Sequence, residues 1–171
     1  MKKCITIILS FILMFAIIGC GGNSEPADPK QAAKEFDSTV WSAVLAAEST
    51  MQDLSTTMNS ATIGEVSLLE LYDTADSAKQ YLGELSISFS SKGKDAEKYV
   101  EAAQNYIINT QIIASGICDY INTQEMQYLS DANGRIDSVT TYLIEVVSAR
   151  MEYLTNAGLS DEEITALMDA E

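Results

Sequence analysis

Asp28-Pro29-Lys30-Gln31, followed by Phe36, Val40, Ala43, Ala47, Met51, Leu54 and Met58, is the stretch that decides the fold. Apolar residues recurring at alternating steps of three and four share one side of an α-helix, so the pattern predicts about eight turns carrying one apolar stripe. The opening tetrapeptide suits the start of that helix. Asp28 offers an N-cap carboxylate, Pro29 has no amide hydrogen to leave unpaired at the first helical position, and Gln31 stands at N3.

Downstream the periodicity returns three times. Ser67-Leu68-Leu69-Glu70 forms a capping box, with Val66 and Leu71 placed as a hydrophobic staple. Leu68, Tyr72, Ala75, Leu82, Leu85 and Phe89 continue this second stripe toward a turn at Ser90-Ser91-Lys92-Gly93. A third helix starts near Asp95 and carries Ala96, Tyr99, Val100, Ala103, Ile107, Thr110, Ala114, Ile117 and Ile121. The fourth contains Ile136, Val139, Leu143, Val146, Val147 and Leu154, and two signals compete for its start. Asn122-Thr123-Gln124-Glu125 makes a capping box with Ile121 and Met126 as staple, whereas Asn133-Gly134 is a turn dipeptide. The reversal near Asn122 is preferred, because Leu129 and Ala132 then extend the fourth stripe without a phase jump. A break near Asn133 is the alternative.

The C-terminal signals are the clearest. Gly158 sits where a left-handed C′ residue ends the fourth helix, with Leu159 placed to touch Leu154 as a Schellman motif requires. Ser160-Asp161-Glu162-Glu163 then opens a short fifth helix with Leu159 and Ile164 as its staple, and Ile164, Leu167 and Met168 on one side. A helix this short must dock to be stable, and the exposed apolar ends of the first and fourth helices offer the place. Short connections make neighbouring helices antiparallel. The expected fold is therefore all-α, an antiparallel up-down four-helix bundle with a short fifth C-terminal helix. The one β-like run, Ile87-Ser88-Phe89-Ser90, is brief and ends at a turn, so it reads as a fraying helix end.

Upstream of Asp28 the character changes. Gly21-Gly22-Asn23-Ser24-Glu25-Pro26-Ala27 cannot pack a core and reads as a flexible tether. Before it, Lys2-Lys3 precedes an apolar run over residues 5–18 that closes on Ile17-Ile18-Gly19-Cys20. This layout is that of a secretory signal, and the run falls short of the about 20 apolar residues a membrane span needs. Ile17-Ile18-Gly19-Cys20 resembles the lipobox of bacterial lipoprotein precursors, with Ile17 where leucine is usual. The resemblance covers only the first twenty or so residues. It implies cleavage between Gly19 and Cys20, diacylation of the Cys20 sulfur by chains such as palmitate, and anchoring of the mature chain outside the cytoplasm on a bacterial cell membrane, cytoplasmic or outer. Two acyl chains anchor stably where one holds marginally. The expected organisation is a lipoprotein signal peptide over 1–19, a lipidated cysteine and tether over 20–27, and a helical domain over 28–171.

Composition narrows the chemistry. Removing 19 of 171 residues leaves 152, one domain's worth, and the loss of Lys2 and Lys3 takes the formal charge from −15 to −17. Such a charge repels phosphate backbones and anionic head groups, so no nucleic-acid partner is expected and a basic, apolar or cationic one is. Of the three cysteines, Cys4 leaves with the signal and Cys20 is acylated. Cys118, in an apolar run, is left as a free thiol and reads as a small buried hydrophobe. The chain has no histidine. That excludes a His-based triad, His-liganded zinc and the Glu-x-x-His pairs of di-iron bundles.

Few constellations suggest a site. Trp41, Tyr72 and Tyr106 are the candidate ligand-lining residues, since aromatic rings with polar tips suit a pocket between helices, although boundary packing with each hydroxyl reaching solvent is the favoured account. Asp131-Ala132-Asn133-Gly134 with Asp137 resembles part of a calcium loop but puts the glycine too early and Tyr142 where the glutamate belongs. Asp161, Glu162 and Glu163 lie in a helix's first turn, where they favour its dipole without any metal. No Gly-rich phosphate loop or nucleophile elbow is present, and no cofactor, metal or catalysis is expected.

Two expectations follow. The first is a membrane-anchored, extracytoplasmic lipoprotein acting as a non-catalytic helical interaction module that meets a protein of the cell envelope. The second is a small-ligand-binding bundle holding an apolar or cationic molecule between helices beside Trp41 and the tyrosines. A packed core with an exposed apolar patch favours the first, and an internal cavity lined by Tyr and Met favours the second. Small residues on the stripes, such as Thr110 and Ala114, weigh toward close packing.

Overall fold

Asp28 and Pro29 begin the first helix as their residue types dictate: the Asp28 side chain accepts the Lys30 amide at 3.0 Å, and Pro29 is the first helical residue. The computed structural model describes residues 28–87 and 94–169. The expected signal segment 1–19, the expected cleavage and lipidation residues Gly19 and Cys20, the expected tether 20–27, Phe89 and the expected turn at 90–93 lie outside them. The described chain is all-helical, with no strand, in five helices: α1 (Pro29–Thr62), α2 (Leu68–Ile87), α3 (Lys94–Thr123), α4 (Met126–Asn156) and α5 (Asp161–Asp169). None of them is long and apolar enough to cross a membrane.

The expected serine–glutamate box forms at α2, and a second one opens α5. At α2, Ser67 Oγ accepts the Glu70 amide at 3.2 Å while Glu70 Oε2 accepts the Ser67 amide at 3.1 Å. At α5, Ser160 Oγ accepts the Glu163 amide at 3.3 Å and Glu163 Oε2 accepts the Ser160 amide at 2.9 Å. Each exchange satisfies two amides that the first helical turn otherwise leaves unpaired. The Schellman ending of α4 is also present: Leu159 N–H reaches Leu154 O at 3.2 Å, Gly158 N–H reaches Thr155 O at 2.9 Å, and Gly158 has φ +88°.

The reversal between α3 and α4 falls near Asn122 as expected, but its cap differs. Asn122 does not cap α4 but lies inside α3, and the N-cap is Glu125, whose side chain makes no capping bond. Gln124 supplies the left-handed residue, at φ +60°. Its amide donates to Tyr120 O at 2.7 Å and its side-chain amide to Ile121 O at 2.8 Å, so two carbonyls orphaned at the end of α3 hold it there. Asn133-Gly134 breaks nothing. A glycine inside a helix costs about 1 kcal/mol against alanine, too little to interrupt α4 where Ala132 and Val139 on either side are held in the core. The partial calcium pattern therefore lies within a continuous helix.

Side chains fill three successive clusters along the helices. One joins Val40, Val44, Leu82, Tyr99, Tyr106, Ile107 and Val146 with their small neighbours. The next joins Leu54, Leu71, Ala75, Ile113, Ile117, Cys118 and Ala132. The third joins Ala33, Leu154, Leu159 and Ile164, where α5 seals the start of α1 against the end of α4. Helix α3 touches α1, α2 and α4; α1 also meets α2 and α4, whereas α2 and α4 do not meet within the described residues. Two stripe residues fall outside the core: Leu68, the first residue of α2, is 53% exposed, and Ile136 is 39% exposed. Leu71 enters the core in place of Leu68 and sets the phase continued by Ala75, Ala78 and Leu82.

Candidate functional site

The sequence stripes contain two charged residues at core positions. Asp37 follows Ala33 by four and precedes Val40 by three, and Arg150 stands four after Val146 and four before Leu154. Both are buried, at 1% exposure each. Arg150 donates from Nε to Asp37 Oδ1 at 2.9 Å and from Nη2 to Oδ2 at 2.8 Å, while the Tyr99 hydroxyl donates to Oδ1 at 3.0 Å. The Arg150 guanidinium lies 4.2 Å from the centroid of the Trp41 ring, a cation–π contact. Trp41 Nε1 is buried with no acceptor. Tyr153 stacks on Tyr99 at 5.8 Å and meets Phe36 edge-on at 5.5 Å, completing an aromatic surround.

This network ties α1, α3 and α4 together through one carboxylate. With its oxygens accepting three hydrogen bonds and its partners packed by aromatic rings, Asp37 has the environment of a structural anchor rather than of an acid–base group reaching for a substrate. Sequence reasoning that attends only to apolar spacing passes over it. The legible signal was opposite charges at in-phase core positions of the first and fourth helices.

The candidate ligand-lining residues separate. Trp41 and Tyr106 belong to the same core cluster, where Tyr106 is 2% exposed, whereas Tyr72 packs against the next cluster along. Burial, and then the charge of Glu48, push the Tyr106 hydroxyl up to about 12. None of the three lines either of two grooves found among the described residues. One, of about 170 Å³, runs between α3 and α4 and is bordered by Gly116, Asp119, Tyr128, Asp131 and Arg135. There the helices approach closely: a Cβ on Gly116 would stand 3.1 Å from Ala132 Cβ and 3.2 Å from Tyr128 O. The other, of about 220 Å³, lies between α1 and α4 over a floor of Leu54 and Ile113, with Met51, Met58, Ser55, Asn59 and Ile136 around it.

Cys118 is a free, buried thiol, pushed up chiefly by burial and by the Asp76 carboxylate. Among the described residues no three His, Cys, Asp or Glu side chains gather as a metal site would require.

A contrasting surface lies at the end where α1 gives way to α2 and α3 to α4. Ile63 is 70% exposed, Leu69 68%, Met126 63% and Leu68 53%. The hydrogen-bonded α1–α2 connection explains the display of Ile63, Leu68 and Leu69. Gly64 turns the chain at φ +79°, Glu65 N–H bonds Ser60 O at 2.9 Å, and the Ser67–Glu70 box fixes the first turn of α2. Toward the opposite end, Glu163 accepts from Lys30 at 2.8 Å and Lys34 at 3.3 Å, and Lys98 pairs with Glu152. No family model, curated protein or solved structure matches the chain.

Proposed function

We propose that the protein is a non-catalytic interaction module of the bacterial cell envelope, cleaved before Cys20, anchored outside the cytoplasm by lipid on that cysteine, and presenting a four-helix up-down bundle to a protein partner. The bundle arrangement is supported by the short links at 63–67 and 124–125 and by the diagonal separation of α2 from α4. The observation that carries the reading is the exposed apolar end formed by Ile63, Leu68, Leu69 and Met126. Large apolar side chains held out on ordered backbone mark interaction sites more often than isolated surface leucines do. Helix α1, at 34 residues, spans about 50 Å, so this end stands far from where the chain enters α1 at Asp28. An anchor at Cys20 would point it away from the bilayer.

The test combines fractionation with site-specific photo-crosslinking. Cys20→Ala is expected to leave the membrane fraction or to accumulate as precursor. A photoreactive residue at Leu69 is expected to capture a protein in the intact envelope, while one at Thr141, on an exposed part of α4, does not. Unchanged anchoring of Cys20→Ala, or equal capture from both positions, removes the reading.

The groove beside Met51 and Met58 favours a second reading, a bundle holding a small apolar ligand. Its lining is neutral, with Met51, Leu54, Met58, Ile113 and Ile136 as its apolar part and Ser55 and Asn59 beside them. In this reading the ligand would lie between α1 and α4, away from Trp41.

A further inference from the structure

The basic residues of this chain are segregated. No lysine or arginine occurs between residues 35 and 78 or between 99 and 134, so the end of the bundle that displays Ile63, Leu68, Leu69 and Met126 carries acids alone. Glu65, Glu70, Asp73 and Glu125 are all exposed there, and none is in an ion pair among the described residues; the first base along α4, Arg135, lies farther in, beside Asp131 in the groove between α3 and α4. The other end holds Lys30, Lys34 and Lys98, each paired with a carboxylate. The apolar side chains thus sit within a field of one sign.

Building on the interaction-module reading, we infer that this end receives a cationic amphipathic helix of a partner protein. The partner's apolar stripe covers Ile63, Leu68, Leu69 and Met126, and its flanking lysines and arginines face the acids. Charge complementarity selects this occupant. A second copy of the chain brings the same acids to the contact and is repelled, and an anionic lipid surface is repelled for the same reason. The described residues offer no strand edge for an extended peptide to extend, so recognition runs through side chains, and a helix with apolar residues at steps of three and four presents the matching surface. Attraction between unlike fields also raises the association rate and makes it fall steeply with salt.

The experiment uses the mature lipidated chain in detergent and a fluorescent helical peptide of leucine and lysine in amphipathic order. Controls are the same composition scrambled and a leucine–glutamate analogue. Saturable binding is expected for the amphipathic peptide alone, weakening at least tenfold between low and 300 mM salt. Leu69→Ser and Ile63→Ser each weaken it at least fivefold with unchanged melting, because both side chains are exposed. Equal binding of the scrambled peptide, indifference to Leu69→Ser and Ile63→Ser, self-association of the chain, or binding to phosphatidylcholine vesicles in place of the peptide each overturns the inference. Photo-capture from Leu69 separates the two levels. If capture persists while the peptide fails, the partner's chemistry is different and the interaction module stands; if both fail, both fall.

Discussion

Arg150 and Asp37, 113 positions apart in the chain, meet in a buried two-point ion pair, with both side chains at most 2% exposed. Taking two such charges out of water is expensive, and the attraction between them offsets that cost only while both are present. A misaligned α1 and α4 would leave both charges buried and unpaired, so the pair favours the alignment that brings carboxylate and guanidinium together. Tyr99 adds α3 to the same lock.

Breaking the pair from either side leaves an uncompensated buried charge. Arg150→Met and Asp37→Leu are each expected to lower stability by about 3 to 5 kcal/mol. The double substitution should cost far less than the sum, since an apolar pair of similar size needs no partner. Urea unfolding of the four species measures the coupling, and additive losses would show that the two side chains do not depend on each other.

Glu163 gives the docking of α5 a pH dependence. The ammonium of Lys30, then the Ser160 amide, hold its carboxyl down to about 2 against an ordinary 4.5. A depressed acid contributes stability that is present above 4.5 and is lost as pH falls from there through about 2. The Ile164 and Leu167 methyl signals should shift toward those of an undocked helix over that window. Glu163→Gln should flatten the dependence, and an identical acid profile in the variant would assign the effect to another group.

Tyr106 has the opposite sign. Its hydroxyl is raised to about 12 from an ordinary 10.0, so below 10 the neutral ring contributes fully, and stability falls as pH rises from 10 through about 12. Spectrophotometric titration at the phenolate band should reveal a late-ionising tyrosine that Tyr106→Phe removes. Should the late component survive in Tyr106→Phe, another tyrosine carries it.

Gly158, at φ +88°, occupies backbone space that a β-branched side chain resists. Gly158→Val is expected to cost about 1 kcal/mol or more and to loosen Leu159 from Leu154 and Ile164. Thermal melting with limited proteolysis near residue 158 measures both effects; an unaltered melt with intact protection would mean the α4–α5 junction does not need a left-handed residue.

The small groove over Gly116 allows a packing test. Gly116→Leu forces side-chain atoms into the space between α3 and α4 against Ala132, and such overpacking typically costs about 1 to 3 kcal/mol. The loss should appear in the unfolding free energy. A variant as stable as the parent would show that the start of α4 can move away freely.

The helices and most of their ends were legible because they are written in local code. Ser67 with Glu70, Ser160 with Glu163, and Gly158 with Leu159 act on neighbours within one turn, and the stripes of α1 and α3 repeat over many turns. The reversal near Asn122 was legible, but its cap was not, because the left-handed position is taken by Gln124, a residue that carries no turn signature and is held by contacts to Tyr120 and Ile121.

By itself, then, the amino-acid sequence determined an all-helical chain of four long helices and one short one, the phase of most apolar faces, and an acidic composition. Those properties depend on spacings of three and four residues and on charge totals, which are present in the unfolded chain. Only the tertiary structure decided that Asp37 finds Arg150 and Tyr99, that Trp41 and Tyr106 become core while Tyr72 lies in another cluster, and that Leu68 stays outside. Such outcomes depend on which faces meet across distances of tens of residues, where burial and desolvation act on the assembled pair and on neither residue alone.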